Sequence, residues 1–189
     1  MQCLSLPKCA LYPDNYGYIR HGGDRYDTPM CLQSKLQNES EIYMIRKIRA
    51  EDKEIYLSMA KNFYTSDAVL FNIEDKNITD TFDELMRSDL YTECFIFEQE
   101  SHIAGYSLLA KTYSQEAGGM VIWIEEIFVL PEYRSKGLGK EFFKYLETNR
   151  PERIKRMRLE ADSDNVDAMA LYERMNFTRL EYLQMVKDY

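Results

Sequence analysis

The chain is short of the residues that most often announce a site. Among 189 residues there are two histidines, one tryptophan, five prolines and eight glycines. The four cysteines, Cys3, Cys9, Cys31 and Cys94, form no CxxC pair. With only His21 and His102 beside them, no zinc constellation of recognisable spacing can be assembled, and no metal is expected. Three of the four cysteines lie in the first 31 residues without downstream partners. A disulfide framework is therefore not expected, and reduced thiols point to a cytoplasmic protein. No run approaches the ~20 apolar residues of a membrane span, so no membrane partner is expected. The opening MQCLSLPKCALY lacks a basic leading segment and is broken by Pro7 and Lys8, which argues against a secretory signal. Positive charge is scarce as well: 24 basic against 32 acidic residues leave a net charge of −8. That argues against a nucleic-acid-binding domain, which would usually carry a basic face. It suits a cationic substrate, although an acidic surface also serves solubility.

What is there suffices for one globular domain with a sizeable core, since 45% of the residues are hydrophobic. Residues 1–43 hold three of the eight glycines, three of the five prolines and three of the four cysteines without sustained periodicity. They read as a poorly ordered N-terminal extension, with the domain proper at 44–189. From there the pattern predicts a strand at 43–48 and a helix at 50–63, with Ile55, Met59 and Phe63 on one stripe. A second helix, TDTFDELMRS, is expected to open at the capping-box pair Thr81 and Glu84. A hairpin should turn near Glu100 and Ser101, placing His102 on the surface, and a strand should follow at 120–130. A helix at 138–149, a strand at RMRLEA, a helix at NVDAMALYERM and a terminal strand at LEYLQMVKDY complete the reading. Antiparallel strands first and alternating strands and helices later define an α/β or α+β fold in a single domain.

The stretch PEYRSKGLGKEFF, residues 131–143, directly follows the apolar run VIWIEEIFVL. A strand, a glycine turn and a helix form the layout that binds phosphate, because the first amides of a helix have no intrahelical partners. Gly137 and Gly139 would let a pyrophosphate reach them, and Arg134, Lys136 and Lys140 add positive charge. A P-loop is excluded because Glu141 follows the last Gly-Lys pair, and a dinucleotide fingerprint because position 142 is Phe142. The turn resembles motif A of the GNAT superfamily of N-acetyltransferases, [RQ]-x-x-G-x-[GA], with the lead-in Val129-x-Pro131-x-Tyr133. The later segment DSDNVDAMALYERMNF is similar to that family's N-x-x-A-x-x-x-Y-x-x-x-G-F, with Asn176 where glycine is usual. Asparagine is the next-best residue for a left-handed helix C-cap. The resemblance runs from about Met44 to the C-terminus, and nothing in residues 1–43 matches.

The resemblance implies a mixed, mainly antiparallel sheet flanked by helices, and an enzyme that takes acetyl-CoA as acetyl donor. Its pantetheine would pair with the backbone of Ile127, Phe128 and Val129. Its pyrophosphate would lie on the amides of Ser135, Lys136, Gly137, Leu138, Gly139 and Lys140 beside Arg134, with Asn165 and Ala168 carried over from the second motif. Tyr172 would protonate the departing thiolate, a role for which a phenol is a reasonable match, although a buried tyrosine can equally be core. Strand alternation sends Glu125 and Glu126 to opposite faces. By the resemblance to polyamine-type acetyltransferases, Glu125 takes the position of the carboxylate that contacts the amine or relays its proton. The acceptor would sit near the connection of the first two helices, where Tyr64 and Asp67 offer a hydroxyl and a carboxylate. The expected partner is a small-molecule primary amine, and a homodimer is left open as the assembly. A protein or peptide N-acetyltransferase and a non-catalytic acetyl-CoA-binding module are the alternatives.

Overall fold

The computed structural model describes residues 43–66, 69 and 72–188. Cys3, Cys9, Cys31, Asp67 and the expected extension up to residue 42 lie outside the described residues. Five strands form one sheet in the order β1-β2-β3-β4-β5. They are β1 (Tyr43–Lys47), β2 (Thr92–Gln99), β3 (His102–Ser114), β4 (Gly119–Val129) and β5 (Ile154–Leu159). Helices α1 (Lys53–Tyr64) and α2 (Asp75–Arg87) lie between β1 and β2, α3 (Leu138–Asn149) between β4 and β5, and α4 (Val166–Arg174) after β5. The first four strands run antiparallel and β5 runs parallel to β4. This is the mixed, mainly antiparallel sheet with flanking helices that the sequence led us to expect.

Helices cover both faces, so the central strands are buried on both sides and read as near-continuous apolar runs. In β2, Phe95 and Phe97 pack toward α3, where Phe142 lies 5.0 Å from Phe97 by ring centroids. The intervening Cys94 and Ile96 pack toward α1 and α2 with Tyr56, Met59, Ile78 and Phe82. The β2–β3 hairpin turns at Glu100 and Ser101, both at positive φ (51° and 66°), the backbone of a two-residue primed turn made without glycine. His102 opens β3 on the surface as expected. On β1, Arg46 donates to Asp52 at 2.7 and 2.9 Å and to Glu98 at 2.6 Å. Burial pushes the Asp52 carboxyl up, but the Arg46 guanidinium and the Arg49 amide outweigh it and leave the group below the usual carboxylate range. The stability this pair contributes is present above the unfolded carboxyl value and is lost as pH falls through the depressed folded one.

Two expectations are corrected. Helix α2 begins at Asp75, more than a turn before Thr81, and the Thr81 hydroxyl donates to the Asn77 carbonyl at 2.8 Å inside the helix. Thr81 and Glu84 are therefore interior residues, and Glu74 is the N-cap. The segment expected as a terminal strand forms no ladder over residues 180–188, where Leu183 and Met185 are exposed. Its alternation is suitable, but no pairing with β5 is found. Strand β1 opens at Tyr43, where the sequence placed it, and the Tyr43 hydroxyl donates to the Lys136 carbonyl at 2.6 Å.

Gly105 of β3 sits opposite Val129, and a Cβ there would meet the Phe128 carbonyl oxygen at 2.2 Å. Gly105→Ala should lower unfolding free energy by about 2–3 kcal/mol in urea titration, the cost of overpacking against backbone that cannot yield. Gly118, where a Cβ meets nothing within 4 Å, is the control and should lose less on the same change.

Candidate active site

Strand β4 changes character halfway along. Its parallel pairing with β5 ends at Ile124 and Leu159, while its antiparallel pairing with β3 continues to Val129 opposite Gly105. From Glu125 to Val129 the backbone therefore has a strand on one side only. The change coincides with a β-bulge: Leu108 faces Glu126 and Leu109 faces Ile124, leaving Glu125 as the extra residue. A bulge bends its strand and increases the local twist, which turns β4 away from β5. At the end of the open stretch the Arg134 side chain donates to the Val129 carbonyl at 2.9 Å and lies 5.9 Å from the Phe128 ring. The motif arginine thus ties the turn to the strand end.

Beyond a short turn at Pro131–Tyr133, the chain enters α3 through two residues at positive φ, Ser135 (60°) and Gly137 (89°). The first helical bond runs from the Glu141 amide to the Gly137 carbonyl at 3.0 Å. Among the described residues no backbone acceptor meets the amides from Ser135 to Lys140. The two glycines do different work. Gly137 supplies the left-handed conformation, whereas a Cβ on Gly139 would sit 3.0 Å from Leu171 of α4. Lys136, 5.3 Å from the Tyr133 ring, and Lys140 are exposed beside these amides. Free amides, a helix N-terminus and two free cations suit the diphosphate of a coenzyme A, and the open edge of Ile127, Phe128 and Val129 suits an amide-bearing chain.

The second motif forms α4, which packs against α3 at Leu171 and Tyr172. Asn165 caps α4, its side-chain oxygen accepting the Ala168 amide at 3.2 Å, so both residues set where the helix starts. The helix ends with Asn176 at φ 62°, with amide bonds from Asn176 to Glu173 O and from Phe177 to Tyr172 O. These are the paired bonds of a left-handed C-cap, with asparagine in the glycine position. The Tyr172 ring is buried edge-on against Phe143 and Phe177, and burial pushes its phenol upward. The phenol therefore carries its proton at neutral pH.

A cleft of about 500 Å³ opens between α1, α2 and the sheet face of β2–β4. Glu125 and Glu126 both line it, so the alternation that should have separated them is cancelled by the bulge. Glu126 is 4% exposed. Its Oε1 accepts from the Tyr64 hydroxyl at 2.7 Å and its Oε2 from the Tyr106 hydroxyl. Burial pushes Glu126 up, the two phenols pull it part of the way back, and Glu125 adds to the rise. Glu125 is exposed at the rim; it is raised first by the protein around it and then by Glu160, which follows β5. Tyr64 was anticipated from the sequence. Tyr106 was not, although a tyrosine and a serine inside the apolar GYSLL strand, across from a Glu-Glu pair, were the available sign.

These features can be set beside known proteins. The acetyltransferase (GNAT) family model matches residues 45–177, and the chain belongs to this family. Spermine/spermidine N(1)-acetyltransferase of Bacillus subtilis (strain 168) is 29% identical over 82 residues, covering 41% of this chain and 54% of that protein. The chain thus spans about half the length of this curated relative. Among solved structures, a possible acetyltransferase from Clostridium difficile 630 superposes with a TM-score of 0.68 at 21% identity, covering 79% of this chain and 99% of that one. Aminoglycoside N-acetyltransferase AAC(6')-Iy in complex with CoA superposes at 0.63 with 18% identity, covering 78% and 95%. At these identities the likeness shows the fold.

Gly137→Val places a β-branched residue at φ 89° and should weaken acetyl-CoA binding by more than about tenfold in calorimetry, with far-UV circular dichroism retained. Unchanged affinity would remove the 135–140 amides from the donor site.

Proposed function

We propose that the chain is an acetyl-CoA-dependent N-acetyltransferase whose acceptor is the primary amine of a small molecule. The observation that carries this reading is the junction at Glu125. There the one-sided edge of β4, the free amides of the following turn and an acidic cleft converge within one strand and its continuation. Acetyl-CoA, when bound, supplies an acetyl thioester for direct attack by the amine in a ternary complex. The family's use of this donor supports the assignment, as do relatives named for spermine, spermidine and aminoglycosides, all small molecules carrying amines. No helix among the described residues is long and apolar enough to cross a membrane, and no metal-binding group is found among them.

In this reading each residue has a stated task. Ile127, Phe128 and Val129 hold the donor's pantetheine along their backbone, and a backbone N–H near Val129 stabilises negative charge on the carbonyl oxygen. The amides of Ser135, Lys136, Gly137, Leu138, Gly139 and Lys140 hold its diphosphate, with Arg134 fixing the turn. Asn165 and Ala168 set the start of α4, whose Tyr172 holds a proton for the departing sulfur. Glu125, at the rim of the cleft, takes the proton that the attacking nitrogen must lose, directly or through water.

Tyr172→Phe keeps the ring that packs on Phe143 and Phe177 and removes the hydroxyl alone. Turnover, followed by thiol release, should fall by roughly 10²–10⁴ with acetyl-CoA affinity little changed. A folded variant with wild-type turnover would remove Tyr172 from the proton path.

The pH profile tests Glu125. A base must be ionised, so activity falls as pH drops through its raised value. Glu160→Gln removes a negative neighbour that raises Glu125, and the acid limb of kcat/KM should then move to lower pH. Movement in the opposite direction, or none, would separate Glu125 from that limb.

A further inference from the structure

We infer that Glu126 is the anchor for a second, non-reacting ammonium of the acceptor, so that the acceptor class is a flexible diamine or polyamine rather than a monoamine. The inference rests on the acetyltransferase reading above and assigns a specificity-determining residue to the same cleft.

Four carboxylates line the cleft, Asp80, Glu84, Glu125 and Glu126, and no lysine or arginine lines it among the described residues. Three of them have ordinary explanations. Asp80 and Glu84 lie on α2 and pair within the helix with Lys76 and Arg87. Glu125 is exposed and is the candidate base. Glu126 differs from all three. It is buried, and among the described residues no cation pairs with it; its side-chain partners there, Tyr64 and Tyr106, are neutral phenols.

Two phenols orient a carboxylate but do not neutralise it. Burying an uncompensated charge is costly, and two neutral phenols leave much of that cost standing. An ionised carboxylate also has about four acceptor positions, of which the phenols occupy two. The side chain forms part of the cleft wall, so the unused positions suit an ammonium that arrives with the acceptor.

The bulge supplies the geometry for recognition at two points. Consecutive residues place one carboxylate at the rim beside the end of β5 and the other in the depth of the cleft. A linear diamine can present its reacting nitrogen to Glu125 while its far nitrogen reaches Glu126. Tyr56, which lines the same cleft, packs edge-on against the buried Tyr106 with ring centroids 5.2 Å apart, so the phenol that holds Glu126 is itself fixed in place.

The test uses the full chain, with 1,4-diaminobutane and 1-aminobutane as paired probes. Calorimetry measures binding of each, and thiol release with acetyl-CoA measures KM and kcat. The wild type should favour the diamine by about tenfold or more in both Kd and KM, the usual worth of one charge-assisted contact. Glu126→Gln keeps the volume and one phenol donation to the remaining oxygen, while the other phenol must turn to accept from the amide nitrogen. The substitution should bring that preference close to one, mainly through KM. Tyr64→Phe should lower it less, and serves if Glu126→Gln does not fold. An unchanged diamine preference in folded variants, or no preference in the wild type, overturns the anchor. Failure of the acetyltransferase reading looks different: no thiol release with either amine, while the calorimetric preference persists and still depends on Glu126.

Discussion

Everything at this site depends on β4 being paired on both sides up to Ile124 and on one side afterwards. Up to that point β4 is an interior strand, with β3 and β5 satisfying its backbone. Beyond it, five residues from Glu125 to Val129 keep only β3. A sheet edge is normally a liability, because unpaired N–H and C=O groups invite unspecified partners. Here the edge is partly covered, with Phe128 buried and Ile127 and Val129 half-buried. The Gly105–Val129 contact fixes how close β3 comes to that edge, and Arg134 closes its far end through the Val129 carbonyl.

The glycine turn continues the same backbone by other means. Where the strand offers amides along an edge, the turn offers amides at a helix start, reached through positive φ at Ser135 and Gly137. Gly139 allows α3 to approach α4 at Leu171, so the helix that opens with the free amides also packs on the helix that carries Tyr172. One motif thereby fixes two distances, from strand to helix start and from helix to helix. That coupling explains why its glycines are not interchangeable, although in the sequence they look equivalent.

The order of strands and helices was legible in the sequence because the signals were strong and local. The α3 stripe through Leu138 and Phe142, the two-residue turn at Glu100 and Ser101, and the Asn176 cap each follow from a few residues. The misreadings share a physical cause as well. Thr81 and Glu84 have capping spacing, but Asp75–Asp80 carry enough helical character, and Ile78 enough buried surface, to start the helix earlier. The terminal segment has the composition of a strand, but strand formation needs a partner, and composition does not say whether one is paired. Glu125 and Glu126 were separated by alternation because a one-residue slip is invisible without the register of β3. The Tyr64–Glu126–Tyr106 contacts join residues from three elements, and no local pattern encodes them.

The bulge also explains how one dipeptide can place two carboxylates in the cleft without unfolding the sheet. Regular alternation from Ile124 onward would keep Glu125 on the cleft side and turn Glu126 toward α3, where Ile122, Ile124, Phe142 and Phe143 form the apolar cluster. A carboxylate there would meet no donor, and an unpaired buried charge costs several kcal/mol. The same slip would shift Ile127 and Val129 toward the cleft and Phe128 into the α3 cluster, reversing the packing of the strand end. Inserting one residue avoids both costs. It returns Ile127 and Val129 to the α3 side, leaves Phe128 packed against Tyr106 with centroids 6.0 Å apart, and sets Glu126 between two phenols. The distortion that parts β4 from β5 is therefore also what makes the adjacent carboxylates compatible with the core.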